Sequence, residues 1–379
     1  MCRCFISWFL LQACSMQSRS FHCGGLGLNT KKVTITDVAK EAGLSIATVS
    51  RVINHARNVD PESEKTIRKA MQKLGYVPAV KKQKFSVMAL IVPSLENHFF
   101  SSVVEGVMRQ ANQAGCHVAL YSANGSAEQE VRCLVQASSL GVSSLLFCPL
   151  SDTSSLVLAK LFPPDFPLLI VYRRDYLKGA SHIYYNNVEG GYLAAKYLLR
   201  GNHRHIAFFA SFWQRPSENM EQMLAYLDQQ NRGSYSSLDR LEGYRRALSE
   251  FSLPLDPSLI CMTGYDFSSG YATAKEFLSR LRDFDAVICC NDAVAAGVLQ
   301  ALDEQHIAVP QQVSILGYDD SFLSEIARPS LSSIHQDPHM LGEKAFEQLE
   351  DIIGGKRCED TILQPSLKIR SSSRMREIP

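Results

Sequence analysis

Residues 33–54, VTITDVAKEAGLSIATVSRVIN, carry two amphipathic helical patterns separated by only a glycine-centred turn. Two apolar stripes held that close have few ways to be buried together. Ile35, Val38, Ala39 and Ala42 form the first stripe, with Thr36 expected as its cap and Gly43 expected to leave the helix in a left-handed conformation. Ser45 is the expected N-cap of the second helix, and Val49, Val52 and Ile53 are its inner face. Ile46, Ala47, Thr48, Ser50 and Arg51 are left at its start and outer side. This is a helix-turn-helix whose second helix suits a DNA major groove, where Arg pairs bidentately with guanine and small or apolar groups meet a thymine methyl. Thr34, Asn54 and Asn58 flank the unit and extend the candidate contact set. The same pattern also occurs as an ordinary αα corner in unrelated folds, so further features must decide.

A third helix follows, opened by Asp60 and Pro61, striped by Ile67, Ala70, Met71 and Leu74, and closed by Gly75. Three short helices then share one small core. Residues 31–84 hold twelve Lys or Arg against five Asp or Glu, a net +7, with Lys81, Lys82 and Lys84 at the end of that stretch. Residues 1–30 add +2, so the overall +1 leaves −8 for residues 85–379. A locally basic head on an acidic body points to a directed contact with phosphates.

TVSRVIN in the second helix, GYVP after the third, and VPQQVSILGYDD near the end occur in that order. With these motifs the chain resembles the lactose repressor and galactose repressor family of bacterial transcription regulators, over roughly residues 31–373. The resemblance implies a homodimeric regulator of the repressor type that binds a near-palindromic operator in double-stranded DNA. It also implies a small sugar or sugar-derivative effector held between two lobes.

From Phe85 onward the period changes. Short apolar runs at 86–92, 116–121, 145–148, 168–172, 206–209, 286–290 and 313–317 alternate with helical patterns such as 293–302 and 341–353. Alternation of this kind demands parallel pairing with right-handed crossovers. The expected fold is a small all-α helix-turn-helix head plus an α/β body of two doubly wound lobes, similar to periplasmic sugar-binding proteins. The expected domains are a disordered extension over 1–30, the head over 31–77, a shortened linker over 78–85, and a two-lobed effector-binding and dimerisation body over 86–379. Within that body the N-lobe spans about 86–186 and 337–365, and the C-lobe about 187–335 and 366–379.

No GxGxxG, GxxxxGK[ST] or GxSxG motif is present, so dehydrogenase, NTPase and hydrolase readings lack support, and no catalytic residue or cofactor is expected. The eleven cysteines show no CxxC pair or His/Cys ligand spacing, which favours buried thiols in a reducing cytosol over zinc or disulfides. His203 and His205 form an HxH expected to be a solvated loop end, with no acidic neighbours in sequence. The apolar run from Phe5 to Leu11 mimics an export signal, but it is too short to span a bilayer and precedes a DNA-binding pattern. A cytoplasmic regulator without membrane contact is therefore expected. An exported sugar receptor sharing the body's fold is the competing reading.

By resemblance three residues converge on the effector: Arg240 in RLEGYRRAL, Asn291 in CCNDAVAAG and Asp319 in GYDDSF. Carboxylate, amide and guanidinium together suit a hydroxyl-rich ligand. Asn291 and Asp319 are equally suited to capping the helices that follow them. Where the family commonly has Asp before Arg after the fourth strand, this chain has Tyr172 and Arg173, which weakens the expectation of a neutral hexose. Two further departures stand out. After GYVP the linker reads AVKKQKF and runs into the first strand about six residues early, so the hinge helix is expected to be lost. Lys81, Lys82 and Lys84 would then contact phosphates only, giving little bending and a steep salt dependence. His203 to Arg240 spans thirty-seven residues where relatives have about eighteen. Met220, Met223, Leu224 and Leu227 mark a helix in that insertion, and 229–237 reads as a loop. The helix is either a lid at the cleft mouth or a surface helix packed on the C-lobe.

Overall fold

A computed structural model describes residues 33–53, 60–76, 87–213, 220–227, 235–280 and 283–375. The chain divides into two compact units, residues 1–83 and 84–379. Asn54, Asn58, Lys81, Lys82 and Lys84 lie outside the described residues, as do the leader 1–30, the linker 78–85 and the flanks of the inserted helix.

The first unit holds α1 (Ile35–Ala42), α2 (Ile46–Ile53) and α3 (Pro61–Leu74). The cap of α1 is Thr34, not Thr36. The Thr34 hydroxyl accepts from the Asp37 amide, and the Asp37 carboxylate accepts from the Thr34 amide at 2.8 Å. This reciprocal box satisfies two backbone donors, whereas a cap at Thr36 would satisfy one and shorten the helix. Ser45 and Asp60 accept from the Thr48 and Ser63 amides, capping α2 and α3. Gly43 and Gly75 close α1 and α3 at φ +65° and +62°, a conformation costly for any residue with a Cβ. Val38, Val49 and Ile67 are fully buried with Ala39, Val52 and Ala70 around them, and these form the buried core among the described residues of this unit.

The body is built from two six-stranded sheets. Its first run is β1 (Val87–Val92), α4 (His98–Ala114), β2 (His117–Ser122), α5 (Ala127–Leu140), β3 (Ser144–Phe147), α6 (Ser154–Leu161), β4 (Leu168–Val171) and β5 (Ser181–Tyr185). The second is α7 (Asn187–Arg200), β6 (Ile206–Ser211), α8 (Met220–Leu227), α9 (Ser236–Glu250), β7 (Ile260–Thr263), α10 (Phe267–Arg280), β8 (Ala286–Cys289), α11 (Asp292–Glu304), β9 (Ser314–Asp319), α12 (Phe322–Ile326) and β10 (Ser332–His335). Then α13 (Pro338–Ile353) and β11 (Thr361–Leu363) return to the first sheet, and β12 (Ser366–Lys368) to the second. The strand orders are β11-β5-β4-β3-β1-β2 and β12-β10-β9-β8-β6-β7. All pairings are parallel except β10 with β12. Strands such as LLIV in β4 and AVIC in β8 are apolar throughout because helices cover both faces.

The lobes carrying these sheets are joined at Asn186, at Gln336–Asp337 and at residues 364–365. These crossings hold one another. The Asn186 amide donates to the Leu363 carbonyl at 2.9 Å, and the Asp337 amide donates to the Tyr185 hydroxyl at 2.8 Å.

Two expectations are corrected here. His203 is not a solvated loop end: it is 1% exposed and lies 3.3 Å from Asp285, while His205 meets Asp283 at 3.0 Å. The acids come from eighty residues later, brought alongside because β8 pairs with β6. Ser236 and Ser237, read as loop, open α9. None of the seven described cysteines is in a disulfide, and five of them are buried.

Candidate functional site

In the first unit Ile46, Ala47 and Arg51 are exposed along α2, with Ile46 at 48%, while Thr48 and Ser50 are half-buried. Val49 and Val52 face the core, so the split between an inner and an outer side follows the helical period. Thr34 is exposed, but its hydroxyl is engaged by Asp37 at 2.7 Å. Thr48 shares a hydroxyl hydrogen bond with Ser45 at 2.8 Å. The outer side thus offers one guanidinium, two apolar contacts and small hydroxyls, the set a major groove accepts.

In the body the strand ends of the two lobes meet: Tyr172, after β4, and Asp319, at the end of β9, both lie against Arg240. Arg240 sits in the first turns of α9, 1% exposed. It reaches this depth because α9 lies almost against α7: a Cβ on Gly243 would collide with the Val188 carbonyl, so glycine is required three residues after the Arg. The Arg240 guanidinium donates to Asn187 Oδ1 at 2.9 Å, to the Cys290 carbonyl, and to the Tyr172 hydroxyl at 3.3 Å. It lies 3.8 Å from Asp319 Oδ1 and 3.6 Å above the Tyr318 ring. Burial pushes the Asp319 carboxyl up to about 6, against the pull of Arg240. Behind it Asp292 is pushed up to about 7 by burial and by Asp319, although Ser333 and Ser321 donate to it.

Tyr172 comes from the other lobe, with its ring edge-on to Phe100 at 4.9 Å and tilted against Phe99 at 5.3 Å. Its φ of +79° is unusual for a bulky residue, and Asp319 at +90° shares that departure. Strain of this kind, about 1 to 3 kcal/mol per residue, gathers where a fold must aim a side chain. Arg173, also in the predicted set, sits with Asp152 at 2.6 Å and between the rings of Tyr176 and Tyr235. Asn291 caps α11: its Oδ1 accepts from the Val294 amide and its Nδ2 donates to the Tyr265 carbonyl, both at 2.8 Å. The structure therefore brings Arg240, Asp319 and Tyr172 into direct contact and sets Asn291 and Arg173 at their margins.

Sequence reasoning missed the aromatic lining. Trp213, just past β6, stacks on Tyr265 at 4.6 Å and packs against the other lobe's core. A repeated Gly-Tyr-Asp, at 264–266 and 317–319, ends β7 and β9, and was the available signal for Tyr265 and Tyr318. Trp213 has no such marker. Among the described residues no group of His, Cys, Asp or Glu is arranged to hold a metal ion, and no helix is long and apolar enough to cross a membrane.

Residues 34–79 match the family described as Bacterial regulatory proteins, lacI family, and residues 195–373 match a periplasmic binding protein-like domain. A relative described as HTH-type transcriptional repressor PurR from Vibrio parahaemolyticus is 30% identical over 350 residues, spanning 89% of this chain and 98% of that protein. The chain belongs to the LacI family. It is a DNA-binding transcription regulator with an effector-binding body, and the head match decides against the exported-receptor reading. Among solved structures, the Lac repressor bound to ONPG in its repressed state is similar at TM-score 0.74 and 25% identity, over 90% of this chain and 100% of that one. A CelR-cellobiose complex is similar at TM-score 0.65 and 27% identity, with the same coverage.

Proposed function

We propose that this LacI-family regulator is a cytoplasmic repressor, acting as a homodimer on a near-palindromic operator and controlled by a small carbohydrate-like effector in the cleft between its lobes. The observation that carries the effector reading is the contact of Arg240 with Asp319 and Tyr172 at the junction of the two sheets. A carboxylate beside a fixed guanidinium recognises vicinal hydroxyls. The cellobiose in the CelR complex and the ONPG in the Lac repressor are both glycosides, which supports the same ligand class here. Ile46, Ala47, Thr48, Ser50 and Arg51 are assigned to the operator's major groove, with Thr34, Asn54 and Asn58 beside them. Lys81, Lys82 and Lys84 are assigned to its phosphates.

Thermal-shift screening of a sugar and sugar-phosphate panel tests the effector assignment, since a ligand at 100 times its dissociation constant stabilises by about 2.7 kcal/mol. A hit should raise Tm in the natural chain and lose most of that effect in Asp319→Asn. A ligand that stabilises both equally would place the effector elsewhere.

A further inference from the structure

The insertion before Arg240 ends at Tyr235, and the residues around that end make contacts that leave their own lobe. Tyr235 Oη donates to Asp152 Oδ2 at 2.8 Å, across the cleft in the loop after β3. The other oxygen of Asp152 accepts from Arg173 at 2.6 Å, and the Arg173 guanidinium lies 4.3 Å from the Tyr235 ring centroid. One turn into α9, Asp239 is 2% exposed and receives both Nε and Nη2 of Arg174 at 2.9 Å, a bidentate pair between lobes.

Both ends of these ties are firmly held. The loop bearing Asp152 is anchored by the buried Glu130 carboxylate, which accepts from the Ser151 amide at 3.2 Å and its hydroxyl at 3.0 Å, and also from the Leu150 amide and Ser154 hydroxyl. The Tyr235 side is fixed by the inserted helix: Met223 and Leu227 of α8 are buried in the same core as Leu238, Leu241 and Tyr244 of α9. The inserted helix is therefore not itself a lid. It is a packed support, and what it presents to the opposite lobe is Tyr235. Inside the ring of ties, Trp213 is wedged against the other lobe, its ring 3.1 Å from where a Cβ on Gly125 would stand.

We propose that Tyr235 and Asp239 on one lobe, with Asp152, Arg173 and Arg174 on the other, form a clasp that holds the lobes shut. The clasp stands at the cleft mouth, so effector entry requires it to open. Its strength sets the share of molecules in which Arg240 and Asp319 can be reached.

The test needs no effector. Trp213 and Trp8 are the chain's two tryptophans, so Trp8→Phe in the full chain leaves Trp213 as a single reporter between the lobes. Acrylamide should quench it poorly. Adding Arg174→Gln with Tyr235→Phe should raise the quenching constant about fivefold while far-UV circular dichroism stays unchanged, as expected when the open population becomes dominant. The charge exchange Arg174→Asp with Asp239→Arg, made in the Trp8→Phe chain with Tyr235 kept, should leave quenching near the starting value. A buried support without a clasping role would not respond in that way. Unchanged quenching in the folded double variant would overturn the proposal, as would Trp213 already quenched like an exposed residue in the Trp8→Phe chain. If the double variant loses its circular dichroism, Tyr235→Phe alone decides, because it removes one hydroxyl and keeps the ring: a measurable rise in quenching supports the clasp, and no rise refutes it.

Discussion

Head and body place their proposed recognition groups, Arg51 and Arg240, in opposite surroundings. Arg51 stands exposed on α2, over a core of about six side chains. Arg240 is 1% exposed and contacts Asn187, Tyr172, Tyr318, the Cys290 carbonyl and Asp319. A groove reader must leave its donors to water until DNA arrives, so it contributes little to its own fold's stability. A cleft reader is satisfied internally, and its ligand must compete with contacts the protein already makes. Removing a recognition group should therefore cost binding alone in the head, but binding and stability together in the body.

The largest expected effect tests the second half of that contrast. Arg240→Ala leaves Asp319 without its cationic neighbour in a buried site, and should destabilise the body by about 3 to 5 kcal/mol in denaturant unfolding. A loss below about 1 kcal/mol would mean the Arg is merely stored in the cleft. Next is the head's core: Ile67→Ala should cost about 2 to 5 kcal/mol, enough to unfold so small a unit and abolish operator binding, with the body's transition unmoved. A parallel fall in the body's transition would show that the two units do not unfold independently.

Arg51→Ala should cost about 1 to 3 kcal/mol in operator binding and relax base preference at one position per half-site, with no change in thermal stability. Binding-site selection that returned the same preference at every position would remove Arg51 from direct readout. The smallest effect is a pH dependence confined to the body. Asp292 and Asp319 have folded pKa values of about 7 and about 6, above the ordinary carboxylate range. The protonated forms are thus favoured by folding, and the stabilisation, present at pH 4, is lost as pH rises through 6 and 7. Asp292→Asn should flatten that decline between pH 5 and 7. A decline of unchanged slope would assign it to other groups.

The elements that were legible in the sequence are those whose pattern repeats locally. The stripe Ile35, Val38, Ala39, Ala42 and the run AVIC each state their own burial, because neighbours in sequence are neighbours in space. Arg240 was legible through resemblance, and its Gly243 has a physical reason in the approach of α9 to α7. What stayed hidden depends on residues far apart in the chain. The acid beside His203 is Asp285, the partner of Arg174 is Asp239, and the Trp213 ring meets a surface formed around Gly125. The Thr34 cap was missed for a different reason: Thr34 and Thr36 both fit the pattern, and only the reciprocal bond from Asp37 separates them.

The three crossings between lobes constrain how this regulator can respond. One linking strand would let the lobes swivel and slide freely. Three linkages, fastened by Asn186 to Leu363 and Tyr185 to Asp337, act like a door hung on a full-length hinge. Sliding and independent twisting are suppressed, and the freedom left is rotation about one line. Arg240 is bonded to Asn187, which opens the helix after the first crossing, and Gln336 of the second crossing donates to the same Asn187 oxygen at 3.4 Å. A ligand that shifts that guanidinium therefore pushes at the pivot itself, where a small displacement becomes a large arc at the far ends of the lobes.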